Sequence, residues 1–361
     1  MYVKYLQLKD YRNYELLSID LVKGVNVFKG NNAQGKTNIL ESIYYCGFGK
    51  SHRTSKDKEL IKWDKENSII NLQVSKERLD KKININILKN GKKAITINSI
   101  KISKISELIG VFNVVMFSPE DLRVVKESPG VRRKFIDMEI AQLNPKYYHS
   151  LVQYNKVLNE RNIILKKRTS DSSMIDIYDE QLSSFGEYII KKRLEYLNKL
   201  NDHGKDIHRD ITSNKEEIEF RYITSIDLSK DIKENLKRNL SANRKKDMDK
   251  GNTSVGPHRD DLGIYLNNID AKSFGSQGQQ RTAVLTMKFA SLKIIKELTG
   301  EHPVLLLDDV LSELDVNRKR YILSSIDDIQ TIITCTGIED INENLHGNYK
   351  VFNVEEGHIK E

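Results

Sequence analysis

The octapeptide Gly30-Asn31-Asn32-Ala33-Gln34-Gly35-Lys36-Thr37 places two glycines, a lysine and a hydroxyl at the spacing of a phosphate-binding loop. Its glycines let backbone amides turn inward around phosphate oxygens. Lys36 would reach the β- and γ-phosphates of ATP, and the Thr37 hydroxyl would hold Mg²⁺. Such a loop needs a second carboxylate for the metal, and "PVLLLDDVLSELD" supplies it. Val304 to Leu307 is an apolar run suited to a strand buried on both faces. Asp308 would end that strand, beside Mg²⁺ through a water. Asp309 follows at once, placed to orient or deprotonate an attacking water. Lys36 and Asp309 are thus the expected catalytic residues, and Thr37 and Asp308 the expected metal residues. Ser312 and Asp315 would close a short loop after the strand.

A third stretch, "FGSQGQQRTAVLTMKFASLKIIKELTG", begins with small polar residues and becomes helical. Ala283, Leu285, Phe289, Leu292, Ile295 and Leu298 form its apolar stripe, with Ser276 as N-cap and Gly300 as stop. A helix N-terminus carrying Ser276, Gly278 and Gln279 is a second anion site. Two copies face to face could trap ATP between the loop of one and these residues of the other, so an ATP-dependent homodimer is expected.

The elements that must hold these residues can be read from periodicity. Val3, Tyr5, Leu6 and Leu8, then Ile19 and Leu21, are strand-like around the turn "KDYRNY". "GVNVFKG" is a short β-rich run feeding the loop, and "KTNILESIYYCGF" reads as a helix. "SIINLQVSK" and "KININILKNGKKAITIN" alternate strictly, with Asn90-Gly91 as a two-residue hairpin turn. Near residue 120 the character changes. "FIDMEIAQL" reads as a helix ending before Pro145. Tyr147, Leu151, Tyr154, Leu158, Arg161 and Leu165 then give one heptad-like seam. Beyond "TSDSS", Ile175, Tyr178, Leu182, Phe185 and Ile189 give another, so a short antiparallel helical arm of a few heptads per helix is expected. "EEIEFRYI" reads as a strand. "LKRNLSANRKKDMDKG" reads as a helix end and a mobile loop, either a solvated face or a phosphate contact.

Length and charge bound the rest. The chain has 361 residues, with 38% apolar and 30% charged residues and a net charge of +8. That suits two lobes and a polyanionic partner such as nucleic acid. Two unpaired cysteines, Cys46 and Cys335, argue against a zinc ribbon or a disulfide framework. No apolar run nears the roughly 18 residues that span a membrane, and the N-terminus lacks a secretion signal. A cytoplasmic protein with no membrane association is expected.

Phosphate loop, S-x-G-Q signature, then a strand ending in paired acids and "SELD" is the order of ABC-type ATPases, which the chain resembles. Within that class it resembles the RecF family, bacterial recombination and repair proteins related to SMC-type heads. The matching pieces are "LKDYRNYE", "GNNAQGKTNILESIYY", "GKSHRT", "FSPEDL", "SPGVRRKFID", "GPHRDDL", "SQGQQRTAVL" and "LLLDDVLSELD", in order along nearly the whole chain. The resemblance implies an α/β fold: an ABC-type P-loop ATPase head with an inserted, largely helical second lobe. The ATP-binding lobe would comprise residues 1–115 together with 300–361, and the second lobe residues 116–299. It implies that Gly30, Asn31, Asn32, Ala33, Gln34, Gly35, Lys36 and Thr37 bind ATP, and that Ser276, Gly278 and Gln279 act on the ATP of the partner subunit. Arg12 and Arg53 lie where such heads place basic residues near nucleotide or DNA, or are ordinary surface arginines. His258 and Arg259 are further candidates, and His258 has no metal-ligand spacing.

Two departures stand out. Where a histidine usually follows the paired acids, "QTIITCTG" offers Thr334 and Thr336, which can bond a phosphate but do not titrate. Slow hydrolysis is therefore expected. The usual inter-lobe glutamine has no clear counterpart, and Glu120 or Asp121 of "FSPED" occupies its region. The leading function is an ATP-dependent DNA-binding ATPase of recombinational repair and replication. It would act on double-stranded and gapped DNA and aid recombinase loading, with RecR and RecO as implied partners. The alternatives are the ATPase subunit of a membrane transporter and a small-molecule kinase. The large insert between Lys36 and Ser276 disfavours the first, and the purposeless "SQGQQ" disfavours the second.

Overall fold

The structure, a computed structural model, describes residues 1–167, 172–229, 231–337 and 348–360. Alternating burial drives the N-terminal strands β1 (Tyr2–Tyr11) and β2 (Tyr14–Asp20) together across the "RN" turn. Strand β3 (Val25–Lys29) is buried along nearly its whole length and feeds the phosphate loop, which opens helix α1 (Lys36–Phe48). Strands β4 (Asn67–Ser75), β5 (Lys81–Leu88), β6 (Lys93–Ile97), β7 (Ile100–Ile102) and β8 (Val114–Phe117) follow.

Helices α2 (Arg123–Lys126), α3 (Pro129–Leu143), α4 (Pro145–Lys167) and α5 (Ser172–Thr212) come next. After them the chain forms β9 (Ile218–Ile223), α6 (Ile232–Ala242), α7 (Arg244–Lys250), β10 (Asp261–Leu266), β11 (Ile269–Asp270), α8 (Ala271–Phe274) and α9 (Gln277–Thr299). The last elements are β12 (Val304–Asp308), α10 (Val316–Ser324), β13 (Thr331–Cys335), β14 (Tyr349–Glu355) and β15 (His358–Lys360). Two compact units result. The first comprises Met1–Asp121, Arg209–Asn214 and Leu285–Glu361; the second comprises Leu122–His208 and Lys215–Val284.

The first unit holds two six-stranded sheets, in orders β2-β1-β4-β5-β6-β7 and β15-β14-β3-β13-β12-β8. In the second sheet β14, β3, β13, β12 and β8 run parallel, which places the ends of β3, β12 and β13 side by side. All residues of β12 and β13 are buried, as expected of parallel strands covered on both faces. The hairpin joining β5 and β6 is one residue longer than the expected Asn90-Gly91 turn. The Leu88 N–H bonds the Lys92 carbonyl, so Lys89, Asn90 and Gly91 form the loop. Gly91 takes the left-handed position (φ 81°), a type I turn closed by a glycine bulge.

The second unit is mostly helical around a small sheet of order β11-β10-β9. Helix α5, which belongs to this unit up to His208, runs for 41 residues, about 60 Å at the α-helical rise, far longer than the few heptads expected. The polar turn of "TSDSS" falls largely outside the described residues. Tyr154, Leu158 and Leu165 of α4 and Ile175, Leu182 and Ile189 of α5 are buried, as their seams require. Arg161, counted in the α4 seam, is fully buried and ionic. Its guanidinium bonds Asp179 at 2.7 Å, Asp247 at 2.8 Å and Thr253 at 2.9 Å. Arg244 adds a second cation to Asp179 at 2.8 Å. The basic segment, expected as a helix end and a mobile loop, is helical in both parts: Asp231 caps α6, Asp247 and Arg244 tie α7 into this cluster, and Gly251 ends α7 at φ 62°. In α9, Leu298 leaves the expected apolar stripe; it is 52% exposed in the last turn before Gly300.

Candidate nucleotide site

The phosphate loop is shaped by close backbone approaches. A Cβ on Gly30 would fall 2.3 Å from the Val354 carbonyl oxygen of β14. Gly35 caps α1 at φ 111°, and a Cβ there would meet the Asn13 amide at 2.5 Å. Neighbours in the fold pin the loop from outside, the Gly357 N–H on the Gln34 carbonyl at 3.2 Å among them. The Asn13 side chain donates to the Gln34 carbonyl at 3.0 Å, and the Tyr14 hydroxyl donates to the Gly35 carbonyl at 3.2 Å. The Glu356 N–H donates to the Gln34 side chain at 2.6 Å. A trans peptide directs its N–H opposite to its C=O. Holding the Gln34 and Gly35 carbonyls outward therefore turns the amides of Gly35 and Lys36 inward, the orientation a phosphate needs. The sequence flagged "DYRNY" as a turn; that its side chains shape the loop could be seen only once β1, β2 and α1 were assembled.

Lys36 Nζ lies on the Gly30 and Asn31 carbonyls of its own loop. Burial lowers its pKa, against the raising influence of Asp309, Cys335 and Asp308. Across the parallel strands, the Thr37 hydroxyl donates to Asp308 Oδ1 at 2.8 Å. Asp309 has left-handed backbone geometry, φ 52°, and its Oδ1 is buried without a hydrogen-bond partner among the described residues. The structure thus brings together Lys36, Thr37, Asp308 and Asp309, all within the first unit. One hydroxyl and one carboxylate side by side, with a further buried carboxylate oxygen unsatisfied, suit Mg²⁺, which keeps waters and takes phosphate oxygens instead of an all-protein cage. Among the described residues no three His, Cys, Asp or Glu side chains gather as such a cage.

Thr334 and Thr336 part company. Thr336 is exposed. Thr334 is 1% exposed; its hydroxyl donates to Asp308 Oδ1 at 2.8 Å and accepts the Asp309 N–H at 2.9 Å. Its single proton is thus committed to Asp308, which leaves none to donate to a phosphate.

Arg12 and Arg53 converge on α1. Arg12 makes a bidentate pair with Glu41, at 2.7 and 2.9 Å, and a third bond to the Glu59 carbonyl. Glu41 is fully buried. Burial would raise its pKa, but hydrogen bonds from Arg12 and Ser51 override it and lower the value. Arg53 bonds the Asn38 side chain at 2.9 Å and is 3.7 Å from Glu41, with its side chain 40% exposed. Arg12 thus braces α1 through Glu41 with its side chain 21% exposed, while Arg53 is more open at 40%. Asp121 caps its own turn through the Ser118 N–H at 2.7 Å and pairs with Lys288 at 3.0 Å; Glu120 is exposed.

The signature residues lie in the second unit. Ser276 and Gln279 form a reciprocal capping box. The Gln279 N–H reaches the Ser276 hydroxyl at 3.2 Å, and the Ser276 N–H reaches the Gln279 side chain at 2.8 Å. Gln279 also donates to Glu216 at 2.8 Å, so its amide is held rigid. Ser276 is exposed and Gly278 half-buried at this helix start. His258 and Arg259, in the same unit, serve the local loop. His258 bonds the Tyr154 hydroxyl at 2.7 Å and the Thr253 carbonyl at 3.1 Å, and burial pushes its pKa down to about 4. Arg259 donates to the Thr253 carbonyl at 2.8 Å.

A phosphate loop on one parallel strand, an acid pair on another and a separate capped signature helix define an ABC-type P-loop ATPase head. Residues 2–360 match the RecF/RecN/SMC N terminal domain family. The DNA replication and repair protein RecF of Clostridium perfringens (strain SM101 / Type A) is 67% identical over 360 residues, covering 100% of both chains. The chain belongs to the RecF family. A solved structure described as the recombination mediator protein RecF with ATP in the RecFOR pathway superposes with a TM-score of 0.92 at 38% identity, covering 99% of this chain and 97% of that one. The Smc head domain of Pyrococcus furiosus shares the fold, with a TM-score of 0.58 at 16% identity over 99% of this chain and 95% of that one.

Proposed function

We propose that the protein is an ATP-dependent DNA-binding ATPase of recombinational repair and replication, whose head dimerises on DNA when ATP binds and separates after slow hydrolysis. The observation that carries the reading is the convergence of Lys36, Thr37, Asp308 and Asp309 around one inward-turned loop. The ATP-binding lobe is the part built on residues 1–115 and 300–361, with 116–299 supplying the signature. Gly30 to Thr37 cradle the triphosphate. Thr37 and Asp308 hold Mg²⁺, which neutralises phosphate charge when bound. Asp309 receives the proton of the attacking water. Ser276, Gly278 and Gln279 of a second copy close the site from the other side, with the open side of Arg53 available to nucleotide or DNA.

The relatives' names favour repair over transport, and the ATP-containing relative supports ATP as ligand. Double-stranded and gapped DNA are the proposed substrates, with RecR and RecO as partners in recombinase loading. The net charge of +8 favours phosphate contacts, so DNA affinity should fall steeply between low and physiological salt in a fluorescence-anisotropy titration. Affinity unchanged by salt would argue against a phosphate-directed surface.

Sedimentation velocity with a DNA duplex present, with and without ATP, tests the composite site. Wild type should shift to a dimer with ATP. Ser276→Arg should still bind ATP yet stay monomeric, since a long cation replaces the small exposed cap of α9. A Ser276→Arg dimer forming as readily as wild type would refute the trans arrangement.

A further inference from the structure

The strand that separates the phosphate-loop strand from the acid strand is β13, paired in parallel with β3 on one side and β12 on the other. Thr334 lies near its end, directly opposite Asp308 in register. A single buried hydroxyl there makes two bonds of opposite sense to the two consecutive acids. It donates to the Asp308 carboxylate, which also receives the Thr37 hydroxyl, and it accepts the backbone N–H of Asp309. Asp309 needs such a hold. A non-glycine residue at φ 52° is uncommon and carries a backbone cost, modest for an aspartate, and among the described residues its Oδ1 is buried with no partner.

We propose that Thr334 is a positioning residue for hydrolysis: it locks the Asp309 backbone in the left-handed conformation that aims the carboxylate, and it ties that conformation to the Asp308 carboxylate. The inference rests on the proposed ATPase reading and extends it to a residue that touches neither phosphate nor water. A hydroxyl is required because one group must donate and accept at once. Valine has the same shape and can do neither, whereas serine can do both. Loss of the hydroxyl frees Asp309 to relax toward ordinary backbone angles while leaving Lys36, Thr37 and the loop amides in place.

Thr334→Val, Thr334→Ser and Asp309→Asn, each as the full-length chain, should be compared for ATP affinity without added metal, for ATP-driven dimerisation and for steady-state turnover on DNA. Thr334→Val is expected to bind ATP within about threefold of wild type and to dimerise, yet to turn over at least tenfold more slowly. Thr334→Ser should recover turnover to within about threefold. A residue that served only folding would lower affinity, dimerisation and turnover together, and that pattern would overturn the proposal. So would a Thr334→Val variant with wild-type turnover while Asp309→Asn is slow, an outcome that leaves the ATPase reading standing. If Asp309→Asn itself turns over at the wild-type rate, Asp309 is not the base, and both the reading and the proposal fall.

Discussion

Lys36→Met should weaken ATP binding by about 100-fold or more, measured as a Kd by isothermal titration. The ammonium rests on the Gly30 and Asn31 carbonyls of the loop whose amides face the same space. It can leave those neutral acceptors for phosphate oxygens without moving the backbone. Hydrogen bonds to charged groups contribute roughly 1.5–3 kcal/mol each. Losing two of them, to the β- and γ-phosphates, amounts to two decades or more at about 1.4 kcal/mol per decade. Methionine preserves the apolar stem, so the fold should hold. A variant whose Kd stays within threefold of wild type would show that the lysine is not a phosphate ligand. The same variant should fail to dimerise with ATP, but mixed with Ser276→Arg it should form heterodimers carrying one intact composite site.

The largest stability effect should come from Arg161→Leu in the helical unit. Arg161 and Asp247 are fully buried, and Asp179 nearly so. Removing the cation leaves Asp247, among the described residues, with Ser254 for a partner, through its N–H at 3.0 Å and its hydroxyl. Asp179 keeps Arg244. Breaking a buried pair from one side typically costs about 3–5 kcal/mol, because the remaining charge is neither solvated nor neutralised. Urea unfolding should report that loss, and Arg161→Leu combined with Asp247→Asn should recover at least half of it. If the double variant is no more stable than the single, the cost lies in lost packing and not in the stranded carboxylate.

The residues of the candidate site were legible because they stand at fixed spacing: the loop and the acid pair after an apolar strand, which lie side by side in the first unit, and a capped helix start in the second. The strands β1 to β6, helix α1 and the Ser276 cap followed from alternation, helical spacing and cap chemistry. What sequence could not give was partnership. Arg161 sits at a heptad position and reads as seam, yet its two carboxylates come from residues 179 and 247, which no periodicity links to it. The segment around Arg244 read as either a solvated face or a phosphate contact, because the partners of Arg244 and Asp247 lie far off in sequence, at Asp179 and Arg161. Arg12 was a candidate through the family resemblance, and its pairing with Glu41 of α1 could be seen only in the fold. Thr334 was visible as a departure from a familiar pattern, but the direction of its hydroxyl depends on strand register.

The side chains that brace the phosphate loop from behind set the thermodynamics of ligand capture. A cradle already braced by Asn13, Tyr14 and the Glu356 amide does not have to be ordered by the guest, so association should be rapid and its entropic penalty small. Discrimination among nucleotides must then reside in what closes over the triphosphate afterwards, and slackening the brace, as in Tyr14→Phe, should be felt first as slower capture.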